Sequence, residues 1–371
     1  MSLFDEGTVI IVGAGASVPF GLPTGIDMFD EMVDLLEKEI NQAKTSGCRD
    51  MAETPFLATI ATDSMIAGPS RDALVAAKQL LEKLKSQTSD TIDDFIVQNE
   101  SHAHLCKALI AWTLIWCVLD PGGDNSRAMA NCFGRKLYPR KLKTQRRVGT
   151  QANGENTVSR RNWIHQLINI AREQHQTKPE GAKIKIISFN YDTILERVLD
   201  AQWDNVERQY GHWTESFEIL HPHGSIPFPA IGQRDVNVGK FILDGAANIC
   251  VAREHDIPKN IKRDRALVKG IMQKSKNVFA IGFAFARSNC DLLGIGGEFF
   301  KNEPYGQQSP RHISFINFDG SFGLRDRVHR YCNLRLRESM GKLGLEFKPE
   351  LGGQMHIDQA LIAGFLGEMP S

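Results

Sequence analysis

Four short apolar runs rich in β-branched residues constrain this chain most: Thr8 to Val12, Ile184 to Phe189, Asn277 to Phe283 and Ile313 to Phe318. They are too short for ordinary helices and do not alternate polar with apolar, which suits strands buried on both faces of a helix-covered parallel sheet. Each run gives way to small or polar residues: Gly13-Ala14-Gly15, Asn190-Tyr191-Asp192, Ala284 to Ser288, and Asp319-Gly320. Ligands of open α/β sheets sit at the carboxyl ends of strands, so these endings are where chemistry is expected.

Helical patterns fill the interval between the first and second runs. Thr24 followed by Asp27 fits a capping box, after which Ile26, Phe29, Met32, Val33, Leu36 and Ile40 recur at helical spacing. Leu74 to Leu84, Asp93 to Val97 running on towards His104 to Val118, and Trp163 to Ala171 also read as helices. Trp112 and Trp116 fall on one face as core residues. From Pro121 to Arg161 periodicity is lost and basic residues dominate, with Arg135, Lys136, Arg140, Lys141, Lys143, Arg146, Arg147, Arg160 and Arg161 set against Glu155. That segment reads as a surface loop, with an acidic partner or nucleic acid as the alternative use of residues 135–161.

The expected fold is α/β: a Rossmann-like parallel sheet with helices on both faces and a largely helical insertion between the first strand and the Asn-bearing strand. Residues 1–371 are expected to form a single catalytic domain, with 27–180 as the insertion and 121–161 as its basic loop. Lys plus Arg equals Asp plus Glu at 44 each, so no global basic field implies nucleic acid. The seven cysteines form no C-x-x-C pair, which speaks against a disulfide framework or structural zinc. No leader-like segment opens the chain and no run of roughly 18 apolar residues occurs, so a cytoplasmic location without a membrane span is expected.

Gly13-Ala14-Gly15-Ala16-Ser17 directly follows the first strand, where glycines let backbone N–H groups approach a pyrophosphate. A dehydrogenase fingerprint needs a third glycine where this chain has Val18, and an acidic residue ending a second strand where it has a helix. Hydride transfer is therefore disfavoured.

Gly21-Leu22-Pro23 follows the glycine turn, then Ser188-Phe189-Asn190-Tyr191-Asp192 ends a strand, then comes His223-Gly224-Ser225. This order resembles the sirtuin family, which shows a G-A-G-x-S turn, G-I-P, a T-Q-N-I-D strand end, an H-G pair, a G-T-S segment and a V-N strand end. Gly282-Phe283-Ala284 and Ile316-Asn317-Phe318-Asp319 are looser counterparts of the last two. Deacylases of the family carry D-F-R where this chain has Thr24-Gly25-Ile26, and a four-cysteine zinc module where only Cys250 lies. These departures speak against deacylation, and the pattern G-A-G-A-S, G-L-P-T-G, S-F-N-Y-D, H-G-S, then Ile281-Gly282-Phe283 leading to Asp291-Leu292-Leu293, resembles the bacterial sirtuin-like NAD hydrolases of antiphage defence.

The resemblance implies that NAD is substrate rather than resident cofactor, cleaved to nicotinamide and ADP-ribose, with loss of cellular NAD as an abortive response to infection. It implies Asn190, His223 and Asp192 as catalytic residues. Gly13, Ala14, Gly15, Ser17, Pro23, Gly224, Gly282, Phe283, Asn317 and Asp319 would hold the nucleotide. The chemistry suits these residue types: an amide can hold a ribose hydroxyl or orient a water, and an imidazole titrating near neutrality can take a proton from either. Asp192 would stabilise positive character on the sugar or cap the following helix. Asn317 or Asp319 would contact the adenine ribose or form a turn.

His221, two residues before His223, would share its face in an extended segment, and neither has a ligand-spaced partner for a metal. His102 and His104 read as structural. Two other functions stay open: ADP-ribosyl transfer or deacylation, and a module that senses NAD or an ADP-ribose-like nucleotide without turnover. Latency relieved by infection or a partner is a further implication of the family. With about 50 residues after Asp319 and a helix expected over Ile357 to Leu366, self-assembly or a separately encoded partner, such as a hexameric DNA-translocase-like ATPase, is expected rather than a fused sensor.

Overall fold

A computed structural model describes residues 7–20, 22–46, 54–62, 72–89, 91–118, 163–177, 181, 183–228, 237–251, 254, 257–295 and 312–316. The basic segment 121–161, Asn317, Asp319 and the helix expected over Ile357 to Leu366 lie outside them.

Five parallel strands form one sheet in the order β3-β2-β1-β4-β5, namely β1 (Thr8–Val12), β2 (Ile184–Ser188), β3 (Phe217–Leu220), β4 (Asn277–Ile281) and β5 (His312–Ile316). This is the Rossmann-like α/β order, and its switch point lies between β1 and β4, which pair in register from Thr8↔Asn277 to Val12↔Ile281. All five residues of β1 are buried. Ile10 and Val12 join Ile184, Ile186 and Ile281 in one core, while Val9 and Ile11 join Ile187, Val278 and Ala280 in the other. Alternate side chains of each strand thus feed opposite faces, and both faces are covered, so the runs show no polar alternation. The edge strand β3 was not among the expected strands. Its four residues include the half-buried Glu218 and Ile219, so no apolar run announces it.

Between β1 and β2 come helices α1 (Gly25–Ser46), α2 (Pro55–Thr62), α3 (Ala73–Lys85), α4 (Ile92–Gln98), α5 (Ala103–Val118) and α6 (Trp163–Thr177), the helical insertion read from the sequence. The capping box at the head of α1 is present: Asp27 N donates to Thr24 Oγ1 at 3.3 Å and Thr24 N to Asp27 Oδ2 at 3.4 Å. One residue of the expected apolar stripe departs from it. Ile26 is 66% exposed, because the first turn of α1 overhangs a cavity, and Met28 and Leu35 take buried places instead.

Helix α5 is apolar all round, with Leu105, Leu109, Ile110, Trp112, Leu114 and Ile115 at 3% exposure or less, so it runs through the middle of the helical layer. Each such side chain contributes roughly 1.5–3 kcal/mol by leaving water. Trp112 and Trp116 stack obliquely at 5.5 Å as expected of core residues. The one charge in that stretch, Lys107, is 4% exposed and pairs with both oxygens of Glu254 at 2.6 and 2.7 Å. A buried ammonium needs such a partner.

Helix α7 (Ile194–Tyr210) follows β2, and α8 (Val238–Asn248) and α9 (Lys259–Lys274) lead to β4; α10 (Arg287–Leu293) follows it. Val268 and Met272 of α9 and Cys290 and Leu293 of α10 close the second face of the sheet. Among the described residues no helix is long and apolar enough to cross a membrane.

Candidate functional site

The turns leaving β1 and β4 interlock at the switch point. Gly13 N donates to Ile281 O and Gly15 N to Gly282 O, both at 3.0 Å, while Ala16 N bonds back to Gly13 O at 2.9 Å. Gly282 has φ +62°, and a Cβ there would lie 2.1 Å from Ala16 N. A Cβ on Gly13 would meet Gly282 O at 2.6 Å. The N–H groups expected to cradle a pyrophosphate at Gly13 and Gly15 are thus committed to the β4 turn. The glycines act by letting two backbones pass and by leaving a surface without side chains towards the cavity. Trp163 of α6, 2% exposed, braces the same turn by donating its indole N–H to Ala16 O at 2.9 Å.

Ser17, in the 3-10 turn Ala14–Phe20, reaches across to the end of β2. Its hydroxyl donates to Asp192 at 3.0 Å (Oδ2) and 3.2 Å (Oδ1), and accepts from Asn190 Nδ2 at 2.9 Å. Because an ionised carboxylate only accepts, the chain of donors runs from Asn190 through Ser17 to Asp192 and fixes which way the amide faces. Asn190 Oδ1 is buried and has no partner among the described residues. Asp192 also accepts from Ile194 N at 3.0 Å and so organises the start of α7. It lines the cavity as well, so both roles open to it in the sequence remain compatible with its position. Burial pushes its carboxyl up to about 6, against the hydrogen bonds from Ile194 and Ser17 that favour the charged form.

His223 stands in the turn after β3, held there by contacts to α9: Arg265 Nε donates to Pro222 O at 2.7 Å and Arg265 Nη2 to Val251 O at 3.0 Å. Gly224 follows with φ +72°, where a Cβ would lie 1.8 Å from Asn248 O; its glycine is required by the end of α8. His223 is 1% exposed and packs edge-on against Phe189 at 5.1 Å between ring centres. Its Nδ1 lies 3.6 Å from Asp93 Oδ1, and its Nε2 has no partner among the described residues. Burial holds its pKa below the ordinary imidazole value, with Asp93 opposing and Arg265 assisting, so the ring is neutral at neutral pH. His221 is tied to α7, its Nε2 bonding Glu196 at 2.5 Å, and lies within electrostatic reach of Asp192. Burial works against charging that ring, but Glu196 outweighs it and raises its pKa.

A cavity of about 180 Å³ opens at the carboxyl ends of β1, β2 and β4. Of the residues picked from the sequence, it brings together Gly13, Ala14, Gly15, Pro23, Asn190, Asp192, Gly282 and Phe283. Ser17 sits behind the wall as the tie between Asn190 and Asp192. His223 and Gly224 do not line the cavity, because the turn after β3 lies behind Phe189 and Tyr191. Asn317 and Asp319 lie outside the described residues.

Thr24 and the first turn of α1, with Gly25 and Ile26, supply another wall, and the helical insertion adds Thr91, Ile92 and Asp93 at the head of α4 and Ile110 and Leu114 of α5. Asp93 and Tyr191 escape a sequence reading: Asp93 is one of several acidic residues opening helices, and Tyr191 is one aromatic beside an Asn. Their contact, Tyr191 Oη donating to Asp93 Oδ1 at 2.6 Å, spans 98 positions. His102, 9% exposed, accepts or donates at Nδ1 with the neighbouring Ser101 at 2.9 Å, a structural setting. No group of three His, Cys, Asp or Glu side chains that could hold a metal occurs among the described residues.

No protein-family model and no curated protein matches this chain.

Proposed function

We propose that the cavity binds NAD and that the protein hydrolyses the bond between nicotinamide and ribose. The observation that carries this reading is Asn190 Oδ1, a buried acceptor without a partner among the described residues, on the wall of a switch-point cavity. Such an orphan costs about 1–3 kcal/mol unless a ligand donor meets it. A ribose hydroxyl or an attacking water supplies that donor.

In the reaction the C1′–N bond breaks and its electron pair returns to the pyridinium nitrogen, giving neutral nicotinamide. The water oxygen bonds to C1′ and releases a proton, so NAD and water yield nicotinamide, ADP-ribose and one proton. Asn190 would orient the hydroxyl or the water, and the Asp192 carboxylate would favour the positive character that develops on the sugar. The first turn of the 22-residue α1 faces the cavity, and its partial positive charge would favour the pyrophosphate. The sirtuin-like order of motifs extends the proposal to a defence enzyme that depletes NAD, acting with further copies of itself or a separate partner.

One observation favours a second reading. His223, expected as the base, stands off the cavity wall, as it would in a module that senses the nucleotide without cleaving it. Incubating the protein with NAD, alone and with an acylated peptide, and weighing the products separates the readings. Free ADP-ribose and nicotinamide indicate hydrolysis, an O-acylated ADP-ribose indicates deacylation, and bound but intact NAD indicates sensing.

A further inference from the structure

We propose that Asp93, brought in by the helical insertion, holds a hydroxyl of the ribose on the nicotinamide side of the substrate. This rests on the reading of the cavity as an NAD site. Asp93 lines the cavity, and its side chain is 13% exposed. Among the described residues, the hydrogen bond and the ion-pair contact to its carboxylate fall on one oxygen: Tyr191 Oη donates to Oδ1 at 2.6 Å, and His223 Nδ1 lies 3.6 Å from the same atom. Oδ2 takes no hydrogen bond from the described residues.

Helix capping does not account for Asp93. Thr91 is the N-cap of α4, and its capping partner is Asp94, whose N–H donates to Thr91 Oγ1 at 3.1 Å while its Oδ2 accepts from that hydroxyl at 2.9 Å. Asp93 shares the cavity lining with the apolar Ile92, Ile110 and Leu114, and a carboxylate in such surroundings gains from a further donor arriving from the cavity. Tyr191 keeps its proton, since burial and the nearby Asp93 raise its pKa well above the ordinary phenol value, and so it stays a donor that fixes the carboxylate. His223 then acts through Asp93 as a positioning residue instead of touching the sugar.

The experiment is calorimetric titration of ADP-ribose and of ADP into the full chain, wild type and Asp93→Ala, Asp93→Asn and Tyr191→Phe. ADP lacks the second ribose and reports whether the rest of the site is intact. Loss of a hydrogen bond to a charged group weakens binding by about tenfold to a hundredfold. The expected result is that loss for ADP-ribose in Asp93→Ala, a smaller loss in Asp93→Asn and Tyr191→Phe, and ADP affinity within about twofold of wild type throughout. Equal weakening of both ligands makes Asp93 merely structural and overturns the inference. Unchanged ADP-ribose affinity overturns it too, while leaving the NAD reading standing. If wild type binds neither nucleotide, the NAD reading fails and this inference fails with it.

Discussion

Asn190 gives its side-chain amide to the hydroxyl of Ser17 at 2.9 Å, joining the end of β2 to the turn after β1 across 173 positions. The acceptor half of that amide is thereby left for a ligand. Removing the hydroxyl in Ser17→Ala frees the amide to rotate and strips a buried carboxylate of one partner. Stability should fall by about 1–3 kcal/mol, read from urea unfolding, and nicotinamide release should fall with it. An unchanged midpoint would mean that the Ser17 contacts contribute nothing.

Asn190→Ala should keep the fold and lose nicotinamide release by at least about a hundredfold, the usual scale for a group that positions a reacting atom or water. Circular dichroism checks the fold and product analysis checks the rate. His223→Ala should lose less, since it stands behind the cavity wall, against Asp93, Phe189 and Tyr191. A larger loss at His223 than at Asn190 would put the imidazole at the reacting sugar.

Gly282→Ala places a Cβ 2.1 Å from Ala16 N at φ +62°, so the interlocked turns must separate. A cost of at least about 2 kcal/mol is expected, visible as a lower thermal midpoint, together with weaker nucleotide binding. Full stability would show that the two turns are not tightly joined.

The ends of β1 and β2 were readable in sequence because runs buried on both faces are largely apolar, Thr8, Lys185 and Ser188 aside, and the small and polar residues that follow them stand out. The capping box of Thr24 and Asp27 was readable for a similar reason, being local. What could not be read is whatever depends on distant packing. Ile26 fits the apolar spacing of α1 yet overhangs the cavity, and β3 is an edge strand whose Glu218 breaks the apolar run. Helix α9 buries only Ile261, Val268 and Met272, too thin a stripe to announce a helix among so many charges. His223 was identifiable as a residue, but its seat behind Phe189 depends on Arg265 and on the passage of α8 past Gly224. Asp93 enters the site only because the helical insertion folds back over the strand ends.

Asp192 should leave a signature in the pH dependence of stability. Its folded pKa is raised from 3.8 to about 6 by burial, so the folded state binds this proton more tightly than the unfolded state does. That contribution is fully present below about 3.8 and is lost as pH rises through about 6, with a slope of at most about 1.4 kcal/mol per pH unit. Subtracting the unfolding free energy of Asp192→Asn from that of wild type, pH by pH, reports this contribution together with its coupling to His221. A difference that stays flat between pH 4 and 6 would show that Asp192 is not desolvated.

Hydrolysis of NAD at the ribose bond is tested by a single-turnover reaction in water enriched in heavy oxygen. Protein is held in molar excess over NAD so that even slow turnover registers. Nicotinamide and ADP-ribose are expected, the ADP-ribose carrying one heavy oxygen at C1′, with both formed at least about a hundredfold more slowly by Asn190→Ala. NAD recovered intact from a protein that demonstrably binds it, or ADP-ribose without the label, would contradict it.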